Sequence, residues 1–165
     1  MTKRSQLQEL MCQDLPNLTY QKRLNYRTSK REVLALYKII NKEVFNDRLP
    51  IPEIQVLPRC RDYWGMCMAK GFTLSPDPSK SDCIIRLMDK WYCRQWLITV
   101  LAHEMCHQYQ WDVDSRKRVR EGKKPLMSHG RSFFIYKKKL AQHGIMLKRA
   151  QSRSRWFLHQ SFNKC

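Results

Sequence analysis

The stretch Leu101-Ala-His-Glu-Met-Cys-His107 restricts the fold of this chain more than any other. It carries the pattern H-E-x-x-H. On a helix, His103 and His107 sit four residues apart on one face, so two imidazoles on adjacent turns can grip one metal ion. Glu104 then stands beside the first ligand, where it can reach a water next to the metal. Upstream runs Trp96-Leu-Ile-Thr-Val-Leu-Ala102, apolar and free of Pro and Gly. A helix with this entry is buried, which screens a metal from bulk water. The plain alternative, two half-buried histidines on an ordinary helix, fits that apolar flank poorly. The pattern is the core of a zinc hydrolase.

A catalytic zinc takes three protein ligands and keeps one position open. In the metzincin pattern a Gly and a His follow the second histidine at fixed short offsets; here those places hold Gln110 and Val113. In the gluzincin pattern a later Glu serves, and the one downstream glutamate, Glu121, lies in a charged Gly-Lys-Lys loop. His129, in Ser128-His-Gly-Arg-Ser-Phe-Phe134, is the better candidate. It is expected to open a helix, with Gly130 letting backbone come close to the metal. His143 and His159 read as surface histidines. Asp112 and Asp114 read as solvated charges, or as groups that orient a ligand.

Periodicity supplies the frame. Ser29-Lys-Arg-Glu32 resembles a capping box, and Val33, Leu36, Tyr37, Ile40 and Val44 recur at helical spacing, predicting a helix over 30–46. Ile54 and Val56 alternate with polar neighbours. Trp64 to Ala69 and Phe72 to Leu74 flank Lys70-Gly71 and suggest a hairpin, and Cys83 to Met88 makes another strand. Asp89 can cap a second helix over 90–110. Residues 112–127 read as an exposed loop or frayed helix end. A third helix is expected over 128–142, with Phe133, Tyr136 and Leu140 on its apolar face and Gly144 as its stop. The division expected is a basic N-terminal arm over 1–27, either extended or a loosely docked helix, a catalytic domain over 28–147, and a basic aromatic tail over 148–165.

The formal net charge is +18, with 32 Lys and Arg against 14 Asp and Glu. Such an excess favours a polyanionic partner, nucleic acid first. The expected DNA contacts are Arg116, Lys117, Arg118, Arg120, Lys123, Lys124, Lys148, Arg149, Arg153 and Arg155, with Trp156 able to stack on an unpaired base. No base-reading helix is evident, so single-stranded or structured DNA is expected rather than a sequence. The seven cysteines include no C-x-x-C pair, which argues for reduced thiols and against a zinc ribbon. No apolar segment follows the basic start Met1-Thr-Lys-Arg-Ser-Gln, and no run is long enough to span a membrane. A monomer inside the cell is expected, in the cytoplasm or nucleoid, or in the nucleus of a eukaryote.

Taken together, Asn46-Asp-Arg-Leu-Pro50, Trp64-Gly65, the H-E-x-x-H with Trp111 after it, and His129-Gly130-Arg131 with Phe133 resemble the SprT-like domain over about residues 30–145. The resemblance implies a zincin-type α+β fold: a small mixed sheet of three or four strands packed with three main helices. It also implies one catalytic Zn2+ on His103, His107 and His129, with Glu104 as catalytic acid and base. Family members cut proteins bound or crosslinked to DNA. A cysteine-rich zinc module found after this domain in bacterial members has no counterpart in these residues.

The chemistry expected is peptide hydrolysis, Glu104 moving the proton from water to the leaving amine. Tyr109, Arg131 and Tyr136 are candidate oxyanion donors. The strand near Trp64 to Met68 is a candidate rim to which an extended substrate adds, although Trp64 fits core packing equally well. Two other readings stand: a non-catalytic nucleic-acid-binding protein with structural zinc, and a zinc peptidase acting on a free regulatory protein.

Overall fold

A computed structural model describes residues 3–13, 24–58, 63–71 and 77–151. The architecture is α+β. Its centre is one helix that is buried on every side, and two small sheets and the remaining helices are arranged around it.

The first long helix forms as its periodicity predicts. Here α2 spans Lys30–Phe45 (α1, Gln6–Cys12, lies upstream), with the Ser29 side chain accepting from the Glu32 amide. The capping box is only half made, because the Glu32 carboxylate is used elsewhere and accepts from the Thr28 hydroxyl at 2.7 Å. Val33, Leu36, Tyr37, Ile40 and Val44 make the buried stripe. Asn46, in the left-handed region at φ 55°, ends the helix. The Asn41 side chain then braces the following turn, bonding both the amide and the carbonyl of Leu49 at 3.2 and 2.9 Å.

The turn delivers β2 (Glu53–Leu57), followed by β3 (Gly65–Ala69) and β4 (Cys83–Met88). The order is β2-β4-β3, with β2 parallel and β3 antiparallel to β4. Among the described residues β3 pairs with β4, and residues 72–74, the other half of the expected hairpin, lie outside them. A second, two-stranded sheet joins β1 (Tyr26–Arg27) to β5 (Lys90–Trp91). That pairing corrects the expected helix start at residue 90. Lys90 and Trp91 are held as strand, and α3 (Arg94–Tyr109) begins later, its first turn capped by the Cys93 thiol.

Every residue of α3 from Gln95 to Gln108 is buried. It is thus a core element that carries polar groups inside. Trp96 packs edge-on to Trp64 at 5.9 Å, and Trp64 stacks on Trp91 at 5.2 Å. Trp64 is 1% exposed, so it is a core residue. Beyond α3 the chain does not fray as expected. A π-helical turn over Gln110–Ser115 continues into α4 (Arg116–Arg120). The expected third helix is shorter than its pattern: a 3-10 turn over Phe133–Tyr136 leads into α5 (Lys137–Gln142). Gly144, at φ 80°, ends it, with the Ile145 amide donating back to Leu140.

The N-terminal segment is a docked helix. In α1 (Gln6–Cys12), Ser5 and Gln8 form a reciprocal capping box. Leu7 and Met11 are fully buried in the common core. The Leu7 amide donates to Glu43 of α2, and Gln8 donates to the Gln142 carbonyl at 2.9 Å. Cys67, Cys83, Cys93 and Cys106 are free thiols. No helix among the described residues is long and apolar enough to cross a membrane.

Since Leu7 is fully buried, Leu7→Ala is expected to cost about 2–5 kcal/mol in a urea melt. A cost below about 1 kcal/mol would mean that α1 does not belong to the core.

Candidate metal centre

The site is built on the last two turns of α3. His103 and His107 share one face, as the four-residue spacing requires. Burial in the middle of the molecule makes them rigid. Phe133, at the start of the 3-10 turn, lies against both rings with centroids 4.7 and 4.6 Å away. His129 comes from the turn just before that 3-10 segment rather than from a helix start, and its ring lies 4.8 Å from Phe133. Phe133 therefore acts as an apolar plate behind all three imidazoles.

The three rings converge through the same atom. His129 Nε2 is 3.1 Å from His107 Nε2 and 3.2 Å from His103 Nε2. Nitrogens bound tetrahedrally to one zinc lie about 3.3 Å apart, given metal–nitrogen bonds of about 2.05 Å. The trio therefore fits a single small cation, and among the described residues it is the group of potential ligands so arranged. Burial holds the His107 imidazole down at about 4, against the pull of its Gln110 contact and with the help of nearby His129. The His129 ring is lowered too, by burial first and then by the charge of Arg149. Both are kept neutral, the form that ligates a metal.

Glu104 faces β3. Its Oε2 accepts from the Cys67 amide at 2.8 Å. Desolvation pushes its carboxyl up to about 8, with the Cys67 amide acting in the opposite direction. A carboxyl so placed binds a proton readily and gives it up again near neutrality. The contact requires β3 to lie very close to α3, and Gly65 makes that possible. A Cβ there would meet Leu87 Cδ2 at 2.8 Å, Val100 Cγ1 at 2.9 Å and Glu104 Cγ at 3.2 Å.

A cleft of about 280 Å³ opens over these groups, lined by Tyr63, Trp64, Gly65, Val100, His103, Glu104, His129, Arg149, Ala150 and Gln151. None of the three expected oxyanion donors lines it. Tyr109 and Tyr136 pack on each other at 5.0 Å and on Phe45. Arg131 borders a separate pocket beyond the His129 turn. Tyr63 and Arg149 stand at the cleft instead. Glu121 is exposed and paired with Lys123 at 2.8 Å, away from the trio.

Asp112 departs from its reading as a solvated charge, and Arg116 is largely buried beside it. Asp112 is buried and accepts from the Ser81 hydroxyl at 2.6 Å, the Asp82 amide at 2.9 Å and Gln108 at 3.0 Å. Arg116, one turn on, reaches Asp82 at 2.9 Å and Asp112 at 3.5 Å with its side chain only 9% exposed. It is a clamp between the helix end and the chain entering β4, which leaves little of it for a phosphate. Of the other expected DNA contacts, Lys117, Arg120, Lys123 and Lys124 are exposed together. Arg118 and Lys148 are half-buried, and Arg118 donates to the Lys124 carbonyl at 2.9 Å. Arg149 is exposed at the cleft, while Arg153, Arg155 and Trp156 lie outside the described residues. Gly65 enters the sequence reading only within the resemblance and Gln110 only as a residue that is not a ligand, and neither is given a role in the site there. A glycine after a tryptophan in a strand was the available signal for the first.

Because Gly65 is boxed in by Leu87, Val100 and Glu104, Gly65→Ala is expected to destabilise the protein by about 1–3 kcal/mol and to displace Glu104. A urea melt unchanged from wild type would contradict that tight approach.

No curated protein and no solved structure matches the chain. The SprT-like family profile matches residues 33–150, which takes in α2, the three-stranded sheet, α3 and the His129 turn. Membership suggests a metallopeptidase-like role and agrees with a mixed fold whose three histidines can hold a metal ion. On that match, covering well over half of its length, the chain belongs to the SprT-like family.

Proposed function

We propose that this protein is a zinc-dependent endopeptidase that cuts DNA-associated or DNA-crosslinked proteins. The observation that carries the peptidase part is the convergence of three Nε2 atoms, that of His129 lying 3.1 and 3.2 Å from those of His107 and His103, beside a carboxyl raised by burial. Three neutral imidazoles form a donor set that suits zinc and leaves one position for substrate or water. A structural zinc would have no use for a buried carboxyl at the cleft that can bind and release a proton near neutrality, and this favours catalysis over the non-catalytic reading.

A bound zinc would supply Lewis acidity to the scissile carbonyl and to the attacking water. The protein's own residues do the rest. His103, His107 and His129 would hold the ion, and Phe133 keeps their rings dry on one side. Glu104 takes the proton from the attacking water and delivers it to the departing amine. The Cys67 amide keeps the carboxylate aimed while it is charged. β3 is an edge strand of the sheet among the described residues and borders the cleft, so an extended peptide can add along it.

The DNA part rests on charge. The net +18 and the exposed group Lys117, Arg120, Lys123 and Lys124, close beyond the catalytic helix, favour a phosphate backbone over a neutral partner. Phosphate contacts carry no sequence information, so the substrate would be chosen by its attachment to DNA rather than by a DNA sequence.

Glu104→Gln keeps the side chain's shape but removes the base. It is expected to lower cleavage of a DNA-bound protein by about 100-fold or more while metal content, measured on the same sample, stays at wild type. Retained cleavage would sink the role given to Glu104. Four phosphate contacts from the exposed cluster would release enough counterions for single-stranded DNA affinity to fall about 50-fold on a fourfold rise in salt. Absence of binding at low salt would leave a peptidase of free proteins as the better account.

A further inference from the structure

Gln110 lies three residues past His107, where α3 passes into the π-helical turn, and it is fully buried. A buried carboxamide is costly unless its groups are bonded. Here it makes three contacts. Its Oε1 lies 3.0 Å from His107 Nδ1. Its Nε2 lies 2.8 Å from the Ser128 carbonyl and 2.7 Å from the Ser132 hydroxyl. Ser128 and Ser132 bracket the turn that carries His129.

The orientation of the carboxamide follows from its partners. A backbone carbonyl only accepts, so the group facing Ser128 must be the amide NH2. The oxygen then faces His107, and His107 Nδ1 must carry the proton. The lone pair of that ring is thereby placed on Nε2, the atom that converges with His129 and His103. We propose that Gln110 is a positioning residue for the metal site: one side chain selects the tautomer of His107 and ties down the turn that supplies His129. The two ligands are far apart in sequence, and this carboxamide bridges their supports within hydrogen-bond reach.

The inference rests on the reading of the three histidines as a metal site, and its test separates the two. Purified full-length protein is stripped of metal and titrated with cobalt(II), whose visible d–d absorption reports coordination number and geometry. Gln110→Met keeps the volume and removes every hydrogen bond. Gln110→Glu can still accept from His107 Nδ1 but cannot donate to the Ser128 carbonyl. Cobalt affinity is expected to fall about 10- to 100-fold in Gln110→Met, with an altered d–d band. Gln110→Glu should fall less, because the His107 contact survives. A residue that only fills space would give wild-type affinity and an unchanged band once the metal-free variant is folded, as circular dichroism would show. That result in Gln110→Met overturns the proposal and leaves the metal site standing. Should Gln110→Met not fold, wild-type affinity and band in Gln110→Glu overturn it equally. Wild-type protein that takes up no cobalt removes the metal site and this inference with it.

Discussion

The approach of β3 to α3 at Gly65 governs the geometry of the whole cleft face. Two elements pressed this closely let a backbone amide, that of Cys67, reach a carboxyl on the helix. The carboxyl is then both desolvated and aimed. Neither effect needs a charged neighbour, and both would weaken together if the strand moved outward by the width of one methyl group. The sheet is positioned in turn by the tryptophans at its end, since Trp64 precedes Gly65 directly and is wedged between Trp91 and Trp96. Core packing thus sets the placement of Glu104, and the cleft is a consequence of the same contacts.

A second constraint acts at the far end of α3. The helix carries both motif histidines, and it has to be followed by a chain path that returns His129 to them. The π-helical turn lets Gln110, Asp112 and Ser115 all face inward. Each of the three ties down a different neighbour: Gln110 the His129 turn, Asp112 the chain entering β4, and Ser115 the backbone of Leu126 at 2.8 and 3.0 Å. A π-turn inserted in a helix end often accompanies a functional site. Here it converts a polar sequence into a set of internal braces.

Much of this was legible beforehand wherever a residue's role follows from its neighbours in sequence. The span of α2, the strands at 53–57 and 83–88, the H-E-x-x-H face and the choice of His129 over Glu121 all follow from spacing, capping or local polarity. What was not legible depends on contacts across the chain. Asp89 is a good cap by composition, but Lys90 and Trp91 are claimed by a strand formed more than sixty residues earlier at Tyr26 and Arg27, and the helix has to start after them. Arg116 and Asp112 look like surface charges in a run of charges. Only the return of Ser81 and Asp82 to the helix end turns them inward. Gln110 carries no signal at all in a sequence, because its partners are two side chains and a carbonyl drawn from α3 and from the His129 turn.

The docking of α1 bears on the order in which the molecule assembles. Its bonds join Gln8 to Gln142 and Ser5 to His143, residues separated by 134 and 138 positions. A loop of that size is expensive to close before the intervening chain is compact. The capping box gives this short helix local encouragement, yet seven residues are too few to hold it alone. The surface it covers is made by α2, α3 and α5, so it can find its place only after they have found theirs. This helix therefore joins the fold after elements that follow it in the chain, and until it does, the apolar surface that receives Leu7 and Met11 stands open to water.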